Sequence, residues 1–164
     1  IFMGYINPTL QYGFEKLCKK AVEIGIDGLI IPDLPFDIYV KEYKSIVDKY
    51  GLDFILLITP ETPEARIREI DEMSSGFIYM VSSASTTGAQ KSFNDEKQAY
   101  FKRIKNMQLK NPTLVGFGVS NKATYDAACT YSHGAIVGSA FIKSLQENAT
   151  IEGAVSSLIK KIKE

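Results

Sequence analysis

Alternating strand and helix patterns predict an α/β fold with a parallel sheet covered by helices. Six apolar runs rich in Ile, Val, Leu and Phe are each followed by a segment of helical period; they begin near Ile1, Gly28, Phe54, Phe77, Thr113 and Gly134. Continuous apolar strands that alternate with amphipathic helices are typical of parallel sheets, joined by right-handed crossovers. We therefore expect the 164 residues to form six βα units of a single domain.

Two glycine-bearing strand ends narrow this class to a barrel. Gly116-Phe117-Gly118 and Gly138-Ser139 each close an apolar run and precede a helical pattern. Glycine lets backbone N–H groups approach an anion closely, and a helix N-terminus adds donors at the positive end of its dipole. In a (β/α)8 TIM barrel, a phosphate site follows the seventh and eighth strands. The sequence thus favours a (β/α)8 barrel fold, with the two glycine-bearing ends after its last two strands.

Composition favours a small metabolite as the ligand. The chain carries 19 Lys and Arg against 19 Asp and Glu, and 45% of its residues are hydrophobic. A balanced charge gives no reason to expect nucleic acid or an anionic membrane as a partner. Without an apolar stretch of about 20 residues or a charged-then-apolar leader, we expect a cytoplasmic location.

The first unit opens on a buried-type strand, Ile1–Ile6, with Tyr5 and Asn7 near its end. Because no polar residues lead into this strand, we expect the sequence to begin inside a domain. In the following helical pattern, Cys18 falls on the apolar face and is predicted to be a buried thiol.

The second unit places Asp33 at a strand end, between Pro32 and Pro35. Two interpretations stay open: Asp33 caps a helix or supports an interface, or it takes part near the substrate. The aromatic and aliphatic residues that follow recur every three or four positions up to Gly51 and predict a helix packed on the core: Phe36, Tyr39, Val40, Tyr43, Ile46, Val47 and Tyr50.

Strand ends of the third and fourth units present Thr59, Glu61, Tyr79 and Ser82. Tyr79 could present its phenol to the barrel mouth or fill the interior. The small, polar connection over residues 82–90 is predicted to be a lid over the substrate, with a merely mobile surface loop as the alternative. A helix is expected to begin near Asn94.

The last helix carries a predicted apolar face opposite a lysine-rich one; the apolar face comprises Ile151, Val155, Leu158, Ile159 and Ile162. His133 is the only histidine and is expected to be a solvated loop residue, so no metal site is predicted. No strand-borne lysine supports a Schiff-base aldolase, and no G-x-G-x-x-G motif follows the first strand to support a dinucleotide fold.

Five collinear motifs resemble the tryptophan synthase alpha chain family. They are Met3-Gly4-Tyr5-Ile6-Asn7-Pro8, Ile31-Pro32-Asp33-Leu34-Pro35, Thr86-Thr87-Gly88-Ala89, Gly116-Phe117-Gly118-Val119-Ser120 and Gly138-Ser139-Ala140. The resemblance implies a (β/α)8 barrel, here strands three to eight, that cleaves indole-3-glycerol phosphate to indole and glyceraldehyde 3-phosphate. It also implies a heterotetramer in which a beta subunit, the only one to use pyridoxal phosphate, receives the indole; no cofactor is expected in this chain.

The same resemblance assigns site residues. The substrate phosphate would be bound by Gly88, Gly118, Gly138 and Ser139, and the substrate pocket would include Met3, Tyr5, Tyr79, Thr87 and Phe117. Asn7, Asp33 and Pro35 would lie near the beta-subunit interface.

One departure from the family pattern bears on activity. The family's catalytic glutamate and aspartate belong to the second strand and the loop after it, and neither segment has a counterpart in these residues, so the general base and acid are expected upstream of Ile1. The fragment alone is expected to be inactive and to self-associate through open sheet edges. The alternatives are a binding module for phosphate or the beta subunit, another sugar-phosphate isomerase or epimerase barrel, and a complete small doubly wound domain.

Overall fold

The computed structural model describes residues 1–82 and 93–164. Strands and helices alternate along this part of the chain, which confirms the α/β class. The described residues form two compact units, one of residues 1–57 and 63–78 and the other of residues 58–62 and 79–164. The expectation of a single domain stays a prediction. No helix in the described ranges is both long and apolar enough to cross a membrane.

The first unit holds a three-stranded sheet of order β1-β2-β3 in which neighbouring strands are parallel. Its strands are β1 (Phe2–Met3), β2 (Gly28–Ile30) and β3 (Asp53–Phe54). Its helical segments are α1 (Ile6–Tyr12), α2 (Phe14–Glu23), α3 (Phe36–Ile38), a π-helical turn (Tyr39–Tyr43), α4 (Lys44–Lys49) and α5 (Glu64–Met73).

Aromatic stacking fills the core of the first unit. The ring of Tyr39 stacks on Phe54 with 3.9 Å between centroids, and Phe14 packs on Tyr43 at 4.3 Å. Cys18 is fully buried on α2, as predicted, and its burial raises the pKa of the thiol to about 11. The predicted helix over residues 36–50 is confirmed, with the π-helical turn inside it as the one feature that the periodicity did not indicate.

The second sheet has the strand order β4-β5-β6-β7. Its strands are β4 (Leu57–Ile58), β5 (Ile78–Val81), β6 (Thr113–Gly116) and β7 (Gly134–Ala135). The helices of the second unit are α6 (Asp95–Asn106), α7 (Lys122–Tyr131), α8 (Ser139–Glu147) and α9 (Ile151–Lys163). Asn94 caps α6 by accepting a hydrogen bond from the N–H of Lys97, so the helix begins where the sequence predicted.

The third predicted strand is divided in two. β3 pairs with β2, whereas β4 belongs to the second sheet, and the two buried residues Ile55 and Leu56 separate them. The apolar run that begins near Phe54 was predicted to be one strand, because periodicity cannot show that the two ends of a run hydrogen-bond in different sheets.

Helix α9 buries a different face from the predicted one. Ala154, Leu158 and Ile162 are buried, whereas Ile151, Val155 and Ile159 are 73%, 38% and 48% exposed. Val155 and Ile159 each lie one position after a buried residue, about 100° around the helix, and Ile151 is the first residue of the helix. The predicted stripe is therefore wrong at three of its five positions and correct at Leu158 and Ile162.

Candidate functional site

Two neighbouring parallel strands of the second unit deliver the glycine-bearing ends to the same edge of the sheet. β6 and β7 pair in register at Leu114 with Gly134 and at Val115 with Ala135, and the N–H of Ile136 donates to the carbonyl of Val115. The chain leaves β6 at Gly116 and leaves β7 at Ala135, three residues before Gly138. We call Gly116–Gly118 together with Gly138–Ser139 the strand-end site.

The β6 side of this site turns through two left-handed residues. Phe117 has a φ of 64° and Gly118 a φ of 79°. Glycine adopts this conformation without a steric penalty, but a residue with a Cβ does so at a cost. The strained Phe117 therefore marks a turn whose geometry the surrounding structure enforces.

The β7 side ends in a helix N-terminus. Gly138 is the N-cap of α8 and Ser139 its first residue, and both are exposed. The first intrahelical bonds run from the N–H groups of Phe141 and Ile142 to the carbonyl of Gly138, so the N–H groups of the two residues before Phe141 have no acceptor inside the helix. No atom lies within 4 Å of the position that a Cβ on Gly138 would occupy. An open helix end of this kind can accept an anion.

Tyr79 forms the wall behind Gly116 and Phe117. It is 4% exposed, its ring lies 5.6 Å from the Phe117 ring, and a Cβ on Gly116 would overlap its phenol. Burial raises the pKa of Tyr79, so the phenol stays neutral at physiological pH. The structure shows Tyr79 buried within the second unit, while its place near the substrate stays a prediction.

Ser82, which the sequence placed at a strand end and at the start of the predicted lid, is a neighbour of the strand-end site. Its N–H donates to the carbonyl of Gly116 over 3.2 Å, and its hydroxyl donates to the carbonyl of Phe117. A serine at a strand end beside a G-F-G turn is the signal that could have indicated it. Gly88 and Thr87, assigned by resemblance to phosphate binding and to the lid, lie outside the described residues, as does the rest of 83–92.

Met3 and Tyr5 lie in the first unit, beside an apolar hollow of about 380 Å³. They are 54% and 67% exposed. The walls of the hollow are almost entirely carbon, with contributions from Phe2, Tyr12, Leu17, Leu29 and Ile31. Such a surface can accommodate a flat apolar group.

Asp33 caps the N-terminus of α1, although it lies 27 residues after the first residue of that helix. Its Oδ1 accepts a hydrogen bond of 2.9 Å from the N–H of Ile6, the first residue of α1, where the N-cap Tyr5 supplies no side-chain acceptor. This bond brings Asp33 beside Asn7, and Pro35 lies at the N-cap of α3; all three residues assigned to an interface are exposed. The structure thus shows Asp33 at the N-terminus of α1, while its assignment to an interface stays a prediction.

His133 is exposed, as predicted, and its Nδ1 accepts a hydrogen bond of 3.1 Å from the N–H of Thr113. Within the described residues, no three His, Cys, Asp or Glu side chains are placed to share a metal ion. At the strand-end site the structure offers backbone N–H groups and hydroxyls, and these polar groups suit an anion.

Sequence comparison gives one family over the entire chain. The family described as "Tryptophan synthase alpha chain" matches residues 1–164. A tryptophan synthase alpha chain of Parabacteroides distasonis is 59% identical over 164 residues, and one of Bacteroides thetaiotaomicron is 57% identical over 163. The alignments cover 100% and 99% of this chain, but the chain spans only 64% of the length of these relatives.

Comparison with solved structures gives the same family as the sequence comparison. A mutant tryptophan synthase alpha subunit of Pyrococcus furiosus matches 99% of this chain with a TM-score of 0.81 and 31% identity, and the match covers 64% of that subunit. A structure of the α2β2 complex from the same organism matches with a TM-score of 0.80 and 32% identity. These likenesses confirm the predicted fold class, an incomplete (β/α)8 barrel.

Proposed function

This chain belongs to the tryptophan synthase alpha chain family, and we propose that it supplies the phosphate-binding part of a site that cleaves indole-3-glycerol phosphate. The products would be indole and glyceraldehyde 3-phosphate. Family membership removes the support for a different sugar-phosphate isomerase or epimerase, which the sequence had left open. The proposed setting is the cytoplasm, as expected for an enzyme of amino-acid biosynthesis.

The strand-end site is the observation that carries this proposal. Its left-handed Gly118 and the uncapped N-terminus of α8 leave adjacent parallel strands at the same edge, where backbone N–H groups can converge on one anion. A phosphate ester held there would be anchored without a charged side chain. Gly88, outside the described residues, is proposed as a fourth contact.

The rest of the substrate would be held by apolar and aromatic side chains. Tyr79 and Phe117 form one packed pair behind the strand-end site, and Met3 and Tyr5 line the hollow of the first unit. From the resemblance alone, we propose that these four residues, with Thr87, contact the indolylglycerol portion. The neutral phenol of Tyr79 suits an apolar ring better than an ionised one would.

The cleavage reaction needs catalytic groups in addition to the binding residues described above. Retro-aldol cleavage requires a base for the glycerol hydroxyl and an acid–base partner for the indole, each contributing roughly 10²–10⁴-fold. By the resemblance, that glutamate and aspartate have no counterpart among residues 1–164. We propose that the 164-residue polypeptide, produced as it stands, binds the substrate phosphate without cleaving the substrate.

A beta subunit is the proposed protein partner. The matched α2β2 complex of P. furiosus supports this assembly. We place the contact at the exposed group of Asn7, Asp33 and Pro35, which the Asp33–Ile6 hydrogen bond organises at the start of α1. Pyridoxal phosphate would belong to that partner, and we propose no cofactor for this chain.

Two assays on the same preparation test the proposal. Calorimetric titration with glycerol 3-phosphate should show saturable binding at one site per chain, and an indole-release assay with indole-3-glycerol phosphate should show no turnover. Absence of binding would contradict the phosphate site. Indole release by a protein whose intact mass is 18.2 kDa would contradict the assignment of the catalytic groups to other residues.

A further inference from the structure

We propose that Ser82 is a positioning residue of the strand-end site: its hydroxyl holds the strained Phe117 turn that sets the direction of the Gly118 N–H. The inference rests on the proposed phosphate-binding function and goes beyond it, since Ser82 would shape the site without touching the anion. Phosphate affinity would then depend on the side chain of Ser82, the residue directly after β5.

Ser82 bonds to two successive carbonyls at the point where the chain leaves β6. Its N–H donates to Gly116, which prolongs the pairing of the strands, and its hydroxyl donates to Phe117, one residue further on. Between these two bonds the backbone passes from the extended conformation of β6 to a φ of 64° at Phe117. The hydroxyl therefore fixes the peptide plane that joins Phe117 to Gly118, because the same plane contains the Phe117 carbonyl and the Gly118 N–H.

Strain at Phe117 makes an external restraint necessary. A left-handed conformation is unfavourable for a residue with a Cβ, and such residues persist where the surroundings over-determine them. Two restraints are visible: the Phe117 ring packs on Tyr79 at 5.6 Å, and the Phe117 carbonyl accepts the Ser82 hydroxyl. The ring contact holds the side chain, whereas the hydrogen bond holds the peptide plane.

Burial makes the hydroxyl hard to replace. Ser82 is 1% exposed, and Val81 and Tyr79 on the strand before it are 7% and 4% exposed. If the hydroxyl is removed, water has little access to the carbonyl that loses its donor, so relaxation of the peptide plane is the available response. That relaxation would turn the Gly118 N–H away from its direction in this structure.

The test measures glycerol 3-phosphate affinity by calorimetry in matched variants of the 164-residue chain. Ser82→Ala should weaken binding by about tenfold, the effect of losing one well-aligned hydrogen bond to the anion. Ser74→Ala is the control, because Ser74 is also buried and its hydroxyl also donates to a carbonyl, that of Phe54, outside the site. It should leave phosphate affinity unchanged even though it lowers stability.

A rescue variant separates positioning from a general loss of structure. Glycine at position 117 adopts a positive φ without a penalty, so Ser82→Ala should cost little affinity when it is added to Phe117→Gly and compared with Phe117→Gly alone, a comparison that cancels the loss of the Phe117 ring. Circular dichroism on each variant records whether the fold is retained. If Ser82→Ala fails to fold, Ser82→Cys, which keeps a weak donor, replaces it: it should bind less tightly than the unmodified chain but as tightly as Phe117→Gly alone when the two changes are combined.

The possible failures differ from one another. Binding by Ser82→Ala with the affinity of the unmodified chain would overturn this inference and leave the phosphate site standing. A tenfold loss on adding Ser82→Ala to Phe117→Gly would also overturn it, since the loss would then not pass through the Phe117 conformation. Absence of binding by the unmodified chain would contradict the proposed function itself.

Discussion

Gly116 is the residue at which the strand-end site has the least room. A Cβ at this position would overlap the phenol of the buried Tyr79, whose ring cannot move away without losing its packing on Phe117. The need for glycine here is therefore steric rather than conformational, because only Phe117 and Gly118 of the three-residue turn have a positive φ.

Gly116→Ala is expected to destabilise the protein by about 1–3 kcal/mol, the usual cost of overpacking a filled interior. Urea unfolding followed by circular dichroism measures this change. Gly4→Ala is the matched control, since no atom lies within 4 Å of the Cβ position on Gly4, and its effect should stay within about 0.5 kcal/mol. Equal stability of the two variants would contradict the Tyr79 contact.

Gly138, unlike Gly116, has room for a side chain. A Cβ there meets no atom within 4 Å, and its φ of −104° lies outside the left-handed region. Gly138→Ala should therefore change stability by no more than about 0.5 kcal/mol. Glycerol 3-phosphate affinity should nevertheless fall by about tenfold, or 1.4 kcal/mol, because the methyl group would occupy the approach of the anion to α8. Unchanged affinity by calorimetry would show that the anion does not approach Gly138.

The burial of Cys18 is expected to make the stability of the protein depend on pH. Burial raises the pKa of its thiol from 9.0 to about 11, so the folded protein keeps a proton that the unfolded chain releases. Stability should be fully present below pH 9 and fall as the pH rises towards 11, by on the order of 2 kcal/mol for this group. Urea unfolding between pH 8 and 11 should show a shallower decline in Cys18→Ala. Identical slopes in both chains would contradict the assigned cause.

The sequence predicted the glycines of the strand-end site but not the side chains that surround them. Gly118, Gly138 and Ser139 carry local signals, a turn and a helix start, that a motif displays directly. The fit of Tyr79 against Gly116 and the bond from Ser82 to Phe117 join residues 35 or more positions apart, and they depend on how β5 and β6 align. Sequence periodicity does not determine that alignment.

At the scale of elements, α1 depends on a cap from another loop. Its N-cap Tyr5 provides no side-chain acceptor, and the carboxylate of Asp33 receives the N–H of Ile6 instead. A negative group at a helix N-terminus also interacts favourably with the helix dipole. The start of α1 and the loop after β2 are thereby fixed to each other.

Asp33→Ala should cost about 1 kcal/mol of stability, as expected for the loss of a helix cap. Asp33→Asn keeps an oxygen acceptor and should lose only part of that amount. Urea unfolding of both variants gives the comparison. A chain with Asp33→Ala that is as stable as the unmodified one would show that the Ile6 N–H is satisfied by water.

The order of the elements could be predicted because each strand and helix has its own periodicity, but their number could not: the described residues form seven strands where six were predicted. All six predicted strand starts lie within one residue of a strand in the structure. Two errors of detail have one physical origin: the division between β3 and β4, and the buried face of α9, depend on which element packs alongside. Val155 and Leu158 are similar in hydrophobicity, so the pattern could not show that only Leu158 is buried.

At the scale of the whole molecule, the described strands leave exposed edges. β1 lies at one edge of the first sheet and β7 at one edge of the second. The residues around β1 are apolar and accessible, with Ile1, Phe2 and Met3 being 54%, 38% and 54% exposed. An apolar edge strand of this kind is a template for pairing with another chain.

The 164-residue polypeptide is therefore expected to self-associate, giving a light-scattering mass above 18.2 kDa that rises with concentration. Phe2→Lys should lower that mass, because a charge on an edge strand opposes pairing. Val22→Lys, on the 46% exposed position of α2, adds the same charge away from the edge and should have little effect. A monodisperse monomer of the unmodified chain would contradict this expectation.

We propose above all that the ends of β6 and β7 bind a phosphate ester through backbone N–H groups. The most direct measurement is the titration of the ¹⁵N-labelled chain with glycerol 3-phosphate, observing the amide resonances of Gly118 and Ser139. Both resonances should shift and saturate with one dissociation constant, while the amide of Gly153 in α9 stays unchanged. Gly118 and Ser139 resonances that remain unmoved at millimolar ligand would contradict the claim.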